Sequence, residues 1–97
     1  MIKPSKFDKA FGAILREERH RKGWDLWQVA QQAGLSVGYL SEIERGRKHA
    51  AFHYWGEIGS ALGLTEATLL RKVADRLEQS EQPQASRAFD RFLESMR

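Results

Sequence analysis

In VGYLSEIERGRKH, residues 37–49, groups that hydrogen-bond, groups that carry charge and groups that leave space are sorted by position. Ser41 can donate or accept and Glu42 can only accept, while Arg45, Arg47 and Lys48 cluster around Gly46. His49 stands beside them and adds charge only when protonated. This is the chemistry of gripping an anion, not of breaking a bond. Gly38 raises a question of its own, since a glycine early in a short helix costs about 1 kcal/mol relative to alanine. It lies next to Val37, on what reads as a working surface. No Gly-rich phosphate loop, nucleophile elbow or acid–base constellation occurs, so an enzyme is not expected. His49 and His53 lie four apart without a third ligand, so neither a metal nor a cofactor is expected.

The elements that must hold these residues are short helices. The 97 residues suit one domain with a short appendage. Helical periodicity dominates, and the fold class read from it is all-α. Ser5 caps a first helix with Phe7, Phe11, Ile14 and Leu15 inward, ending at Gly23. Asp25 opens a second, with Leu26, Val29, Ala30 and Ala33 inward. Gly34-Leu35 turns the chain and Ser36 caps a third helix, residues 37–45, that stops at Gly46. A fourth is expected from about Phe52 to Leu62, with Phe52, Trp55, Ile58 and Leu62 inward and Gly63 as its stop. Thr65 caps a fifth carrying Leu69, Leu70, Val73 and Leu77. Residues 78–84, EQSEQPQ, are polar, contain Pro83 and read as a linker. Beyond it Ala85, Phe89, Phe92 and Met96 recur at helical spacing, an amphipathic sixth helix. The expected division is a domain over residues 1–78 and a linker with C-terminal helix over 79–97.

Charge supports a polyanion partner without proving one. Sixteen Lys and Arg stand against thirteen Asp and Glu, a net +3, and residues 1–24 hold seven of the basic side chains but only three acidic ones. There is no cysteine, which fits a reducing compartment, and no apolar run long enough to span a membrane. A cytoplasmic location without membrane contact is therefore expected.

Two short helices joined by a glycine-containing turn are a helix-turn-helix, and here the match is sharper than the generic pattern. Gly12, Leu15-Arg16, Arg19, Val29-Ala30, Gly34-Leu35-Ser36, Tyr39-Leu40-Ser41 and Ile43-Glu44-Arg45-Gly46 fall in order without gaps, and Ile58 and Ala61-Leu62-Gly63 continue the series. Residues 12–64 thus resemble the Cro/repressor-type, or xenobiotic-response-element type, helix-turn-helix DNA-binding family. The resemblance implies a five-helix repressor-like domain whose third helix enters the major groove of double-stranded DNA.

On that resemblance Val37, Gly38, Ser41 and Glu42 are the base-reading candidates. Valine can meet a thymine methyl, glycine admits a close approach, and a carboxylate can accept from a cytosine amino group. Tyr39, Arg45, Arg47, Lys48 and His49 are the phosphate candidates. Glu44 leans inward and needs a partner; the family geometry suggests Arg19, through a bidentate pair. One position departs from the pattern. The family's second helix begins with a DNA-contacting Gln, whereas this chain has Leu26, turned inward. Trp27 points outward, either packed under the C-terminal segment or marking a protein-contact surface.

A module of this size reads few base pairs alone, so a homodimer on two half-sites is expected. Phe89, Phe92, Leu93 and Met96 are the candidate dimer or partner surface. The function read from the sequence is a sequence-specific transcriptional regulator, a repressor. The alternative is an antitoxin-like module that binds a protein partner as well as DNA.

Overall fold

Ser5, Asp25, Ser36 and Thr65 each accept a hydrogen bond from the amide three residues on, and each opens a helix. The computed structural model describes the backbone of residues 3–96 and the side chains of residues 3–80 and 91–96. Its helices are α1 (Lys6–Lys22), α2 (Leu26–Ala33), α3 (Val37–Glu44), α4 (Trp55–Ala61) and α5 (Glu66–Ser95), with a 3-10 turn over Phe52–Tyr54 ahead of α4. No strand occurs among the described residues. At two of the helix starts the capping is reciprocal: Asp8 returns a bond to the Ser5 amide and Gln28 to that of Asp25. These are local bonds, and for that reason the starts are legible in the sequence. Between α2 and α3 the backbone reverses through Gly34 at φ 73°, a left-handed conformation that only glycine adopts without cost.

The buried cluster joins all five helices, with Phe11 and Leu15 from α1, Val29 from α2, Leu40 and Ile43 from α3, Ile58 from α4, and Leu69 and Val73 from α5. α1 lies against both α3 and α5. Its approach to α3 is close. A Cβ placed on Gly12 would stand 2.2 Å from the Ile43 carbonyl oxygen and 2.7 Å from that of Glu44. Farther along, Arg19 donates from Nε and Nη2 to the two Glu44 carboxylate oxygens, at 2.8 and 3.0 Å, and from Nη1 to the Trp24 carbonyl at 2.9 Å. The side chains are 11% and 5% exposed. A buried pair of this kind adds little net stability but registers α3 against α1, because removing one partner strands the other, a loss of about 3–5 kcal/mol. On the α5 side, buried Glu18 faces Lys72 at 3.2 Å, and Glu17 pairs with Arg76.

Three expectations, two from periodicity and one from composition, are corrected. Phe52 does not enter the core; it is 72% exposed and rests against the Trp55 ring at 4.9 Å. The segment begins as a 3-10 turn, whose tighter winding rotates Phe52 off the α-helical stripe. Trp55 takes the inward place, packing on Phe7 and Phe11 while its indole N–H donates to the Ala50 carbonyl at 3.0 Å. Leu70 is exposed, while its neighbours Leu69 and Val73 take the buried positions of α5. Residues 78–84 form no break: α5 runs through them, so the C-terminal helix is its distal part and not a separate element. Pro83 lacks an N–H and costs about 3 kcal/mol inside a helix, but the Glu and Gln around it are good helix formers and propagation needs no new nucleus.

Candidate nucleic-acid interface

The exposed turn of α3 is built from what caps and buries the rest. Ser36 fixes the helix start, and Leu40, Ile43 and Glu44 are drawn inward. Val37 and Gly38 are left on the open side, together with half-buried Ser41 and Glu42. Gly38 has open space around it: a Cβ there would meet nothing within 4 Å. Packing within the chain therefore does not require a glycine at this position.

After α3 the chain folds back on itself. The Arg47 amide donates to the Glu42 carbonyl at 2.9 Å, with Gly46 at φ 71° between them and against Lys9 of α1. This presents Arg45, Arg47 and Lys48 to solvent just beyond the C-terminal end of α3. The Glu42 carboxylate lies 3.9 Å from Arg45 Nη1 and 3.8 Å from Arg47 Nη1. Such loose exposed contacts hold about 0–1 kcal/mol.

The Tyr39 hydroxyl, expected to reach a phosphate, is engaged elsewhere. It accepts from the Ala51 amide at 3.0 Å and donates to the His49 carbonyl at 3.3 Å. The cause is backbone bookkeeping: a half-buried amide in an irregular loop needs a partner, and the tyrosine supplies it. Tyr39 thereby pins residues 49–51 alongside α3.

His49 faces back to α1. Its Nδ1 lies 2.6 Å from Asp8 Oδ1, and its ring sits near Phe7 and Trp55. Burial pushes the Asp8 carboxyl upward, but the bond from His49, those from the Ser5 amide and hydroxyl, and the His49 charge outweigh it, holding Asp8 below its ordinary value. Ionised Asp8 accepts, so His49 Nδ1 carries the hydrogen. Separated by forty-one positions, the pair has no periodic or spacing signal. A depressed carboxyl contributes stability above its unfolded pKa, and that contribution disappears as pH falls through the folded value. Asp8→Asn is accordingly expected to lose about 1 kcal/mol at neutral pH, with the gap to the parent closing in acid. Urea titrations across the carboxylate range would show this, and a gap that persists at low pH would rule the linkage out.

Trp27 is 59% exposed; with Trp24, Gln28, Gln31 and Gln32 it borders a cleft of about 240 Å³. Phe92, Leu93 and Met96 are exposed near the end of α5, and the side chain of Phe89 lies outside the described residues. No group of three metal-ligating side chains occurs among the described residues, and no helix there is long and apolar enough to cross a membrane.

Residues 10–72 match the helix-turn-helix domain family. The chain is similar to the transcriptional regulator ClgR of Mycobacterium tuberculosis, 39% identical over 70 residues that make up 72% of this chain and 62% of that regulator. The crystal structure of the clp gene regulator ClgR from Corynebacterium glutamicum superposes with a TM-score of 0.74 at 35% identity, over 87% of this chain and 90% of that one. The restriction-modification controller protein C.Esp1396I, solved as a tetramer with its 35 base-pair operator, superposes with a TM-score of 0.70 over 75% of this chain and 96% of its own. At 18% identity that likeness is one of fold.

Proposed function

Because the chain belongs to the helix-turn-helix domain family, we propose that it is a sequence-specific DNA-binding regulator of transcription, a repressor that binds its operator as a homodimer. α3 enters the major groove with Val37, Gly38, Ser41 and Glu42 toward the bases, and Arg45, Arg47 and Lys48 hold the flanking phosphates. One observation carries this reading. The exposed N-terminal turn of α3 is free of internal contacts at Gly38, and the segment after α3, residues 45–56, holds three exposed cations and no carboxylate. His49 is bonded to Asp8 through Nδ1, which leaves its other ring nitrogen for the same strand of phosphates. The exposed stripe of Phe92, Leu93 and Met96, with Phe89, is the proposed surface between copies.

The test separates positioning from reading. A duplex is first selected from a random pool with the full chain. Arg47→Ala and Lys48→Ala are expected to weaken binding to this duplex and to a scrambled one alike, and to lower the salt slope by about one per lost contact. Glu42→Ala should instead relax preference at one base position. If Arg47→Ala altered base preference and left the salt slope intact, the division of roles would be wrong.

A further inference from the structure

Among the described residues Phe52 is the most exposed large apolar side chain, one edge of its ring resting on Trp55 and the rest open to solvent. Exposed His53 follows it, and Arg45, Arg47 and Lys48 precede it. A protein surface that seats an apolar partner is ordinarily depleted of charge at its centre. Here an exposed aromatic ring follows three exposed cations along the same loop, and the partner that fits both is a polyanion with apolar edges.

The position of the ring follows from the hydrogen bonds on either side. The Tyr39 hydroxyl binds the His49 carbonyl and the Ala51 amide, so the residue immediately before Phe52 is tied to the flank of α3. On its other side Phe52 leans on Trp55, which is anchored to the Ala50 carbonyl and to the rings of Phe7 and Phe11. The ring is thus held out on a rigid support, at little cost in side-chain entropy on binding. On that docking, with α3 in the major groove and Arg47 and Lys48 on the adjoining phosphates, Phe52 follows Lys48 by four residues, a chain reach of at most about 14 Å that extends across the phosphate ridge. There the minor groove, about 6 Å wide, presents deoxyribose C–H groups and base edges that apolar wedges contact.

Resting on the DNA-binding reading above, we propose that Phe52 is a DNA-contact residue that packs against the deoxyribose wall of the minor groove flanking the site read by α3. It contributes affinity without neutralising a phosphate, and preference for sequences whose minor groove is easily opened.

The experiment uses the full chain and the duplex that it selects from a random pool, with a scrambled duplex as control. Phe52→Ala is expected to lower affinity for the selected duplex about ten- to a hundred-fold, the effect of losing one buried phenyl ring, with the salt slope unchanged. Phe52→Leu, which keeps the apolar contact, should retain most of the affinity and controls for folding. If Phe52→Ala binds at parental strength while Lys48→Ala still weakens binding, the inference fails and the DNA-binding reading stands. If the loss is recovered by raising protein concentration, and sedimentation shows a smaller species, Phe52 joins copies of the chain and the inference fails. If the parent selects no duplex and Lys48→Ala changes nothing, both fail.

Discussion

Gly12→Ala is expected to destabilise the protein by about 3 kcal/mol or more, against a total stability of about 5–15 kcal/mol for a domain of this kind. Two effects oppose each other. Alanine is the better helix former, worth about 1 kcal/mol in the middle of α1. Against this, the added methyl would sit 2.2 Å from the Ile43 carbonyl oxygen, 2.7 Å from the Glu44 oxygen and 2.9 Å from the Glu44 carbonyl carbon. These are backbone atoms in the last turn of α3 and cannot swing aside as a side-chain tip can. α1 and α3 would have to separate by about 1 Å, opening a close-packed core around Phe11, Leu40 and Ile43 and stretching the Arg19–Glu44 pair. The steric cost therefore wins. For a domain near 100 residues, a loss of this size moves the melting temperature by more than about 10 °C. DNA binding should fall with it, because α3 loses its register. A Gly12→Ala chain that melts within a few degrees of the parent would show that α1 and α3 do not approach so closely.

Gly38→Leu is expected to abolish specific DNA binding, a loss of about a hundred-fold or more, in a chain that folds normally. The same glycine-to-alanine logic has the opposite sign here. Nothing lies within 4 Å of a Cβ at Gly38, and its backbone is helical, so Gly38→Ala should stabilise by up to about 1 kcal/mol. The glycine is costly, and no contact among the described residues explains it. On the proposed docking, close approach of the α3 backbone to the bases would account for it, since even a methyl there would hold the helix off. Gly38→Ala should weaken specific binding several-fold while raising the melting temperature, and nonspecific binding at low salt should survive both changes through Arg45, Arg47 and Lys48. Thermal melts and titrations against the selected duplex decide it. Wild-type affinity in Gly38→Leu would mean that position 38 does not face the groove.

The two glycines show where sequence reading reaches and where it stops. Both are helical, both cost about the same in propensity, and only the surroundings tell them apart. Gly12 was legible as a motif position, but its reason lies in two carbonyl oxygens more than thirty residues away. The helix starts at Ser5, Asp25, Ser36 and Thr65 could be read directly, because a capping side chain and its amide are three residues apart and need nothing else. The inward faces of α1 and α2 followed from a period of 3.6 residues. That same period misassigned Phe52, since it presumes α-helical winding where the chain makes a 3-10 turn. It also left Leu70 inward, although which of two adjacent leucines is covered depends on where the neighbouring helices lie. Pro83 suggested a break that α5 does not make, a contest between one residue's penalty and the propensity of its neighbours. The tie of His49 to Asp8 and the capture of the Tyr39 hydroxyl by the loop at residues 49–51 carry no sequence signal. Helix identity, caps and the cationic segment after α3 are local properties, determined by the chain within a few residues of themselves. Which side chains remain free to meet a partner was decided by tertiary structure, because a donor or an apolar ring is free only when nothing distant in sequence has reached it first.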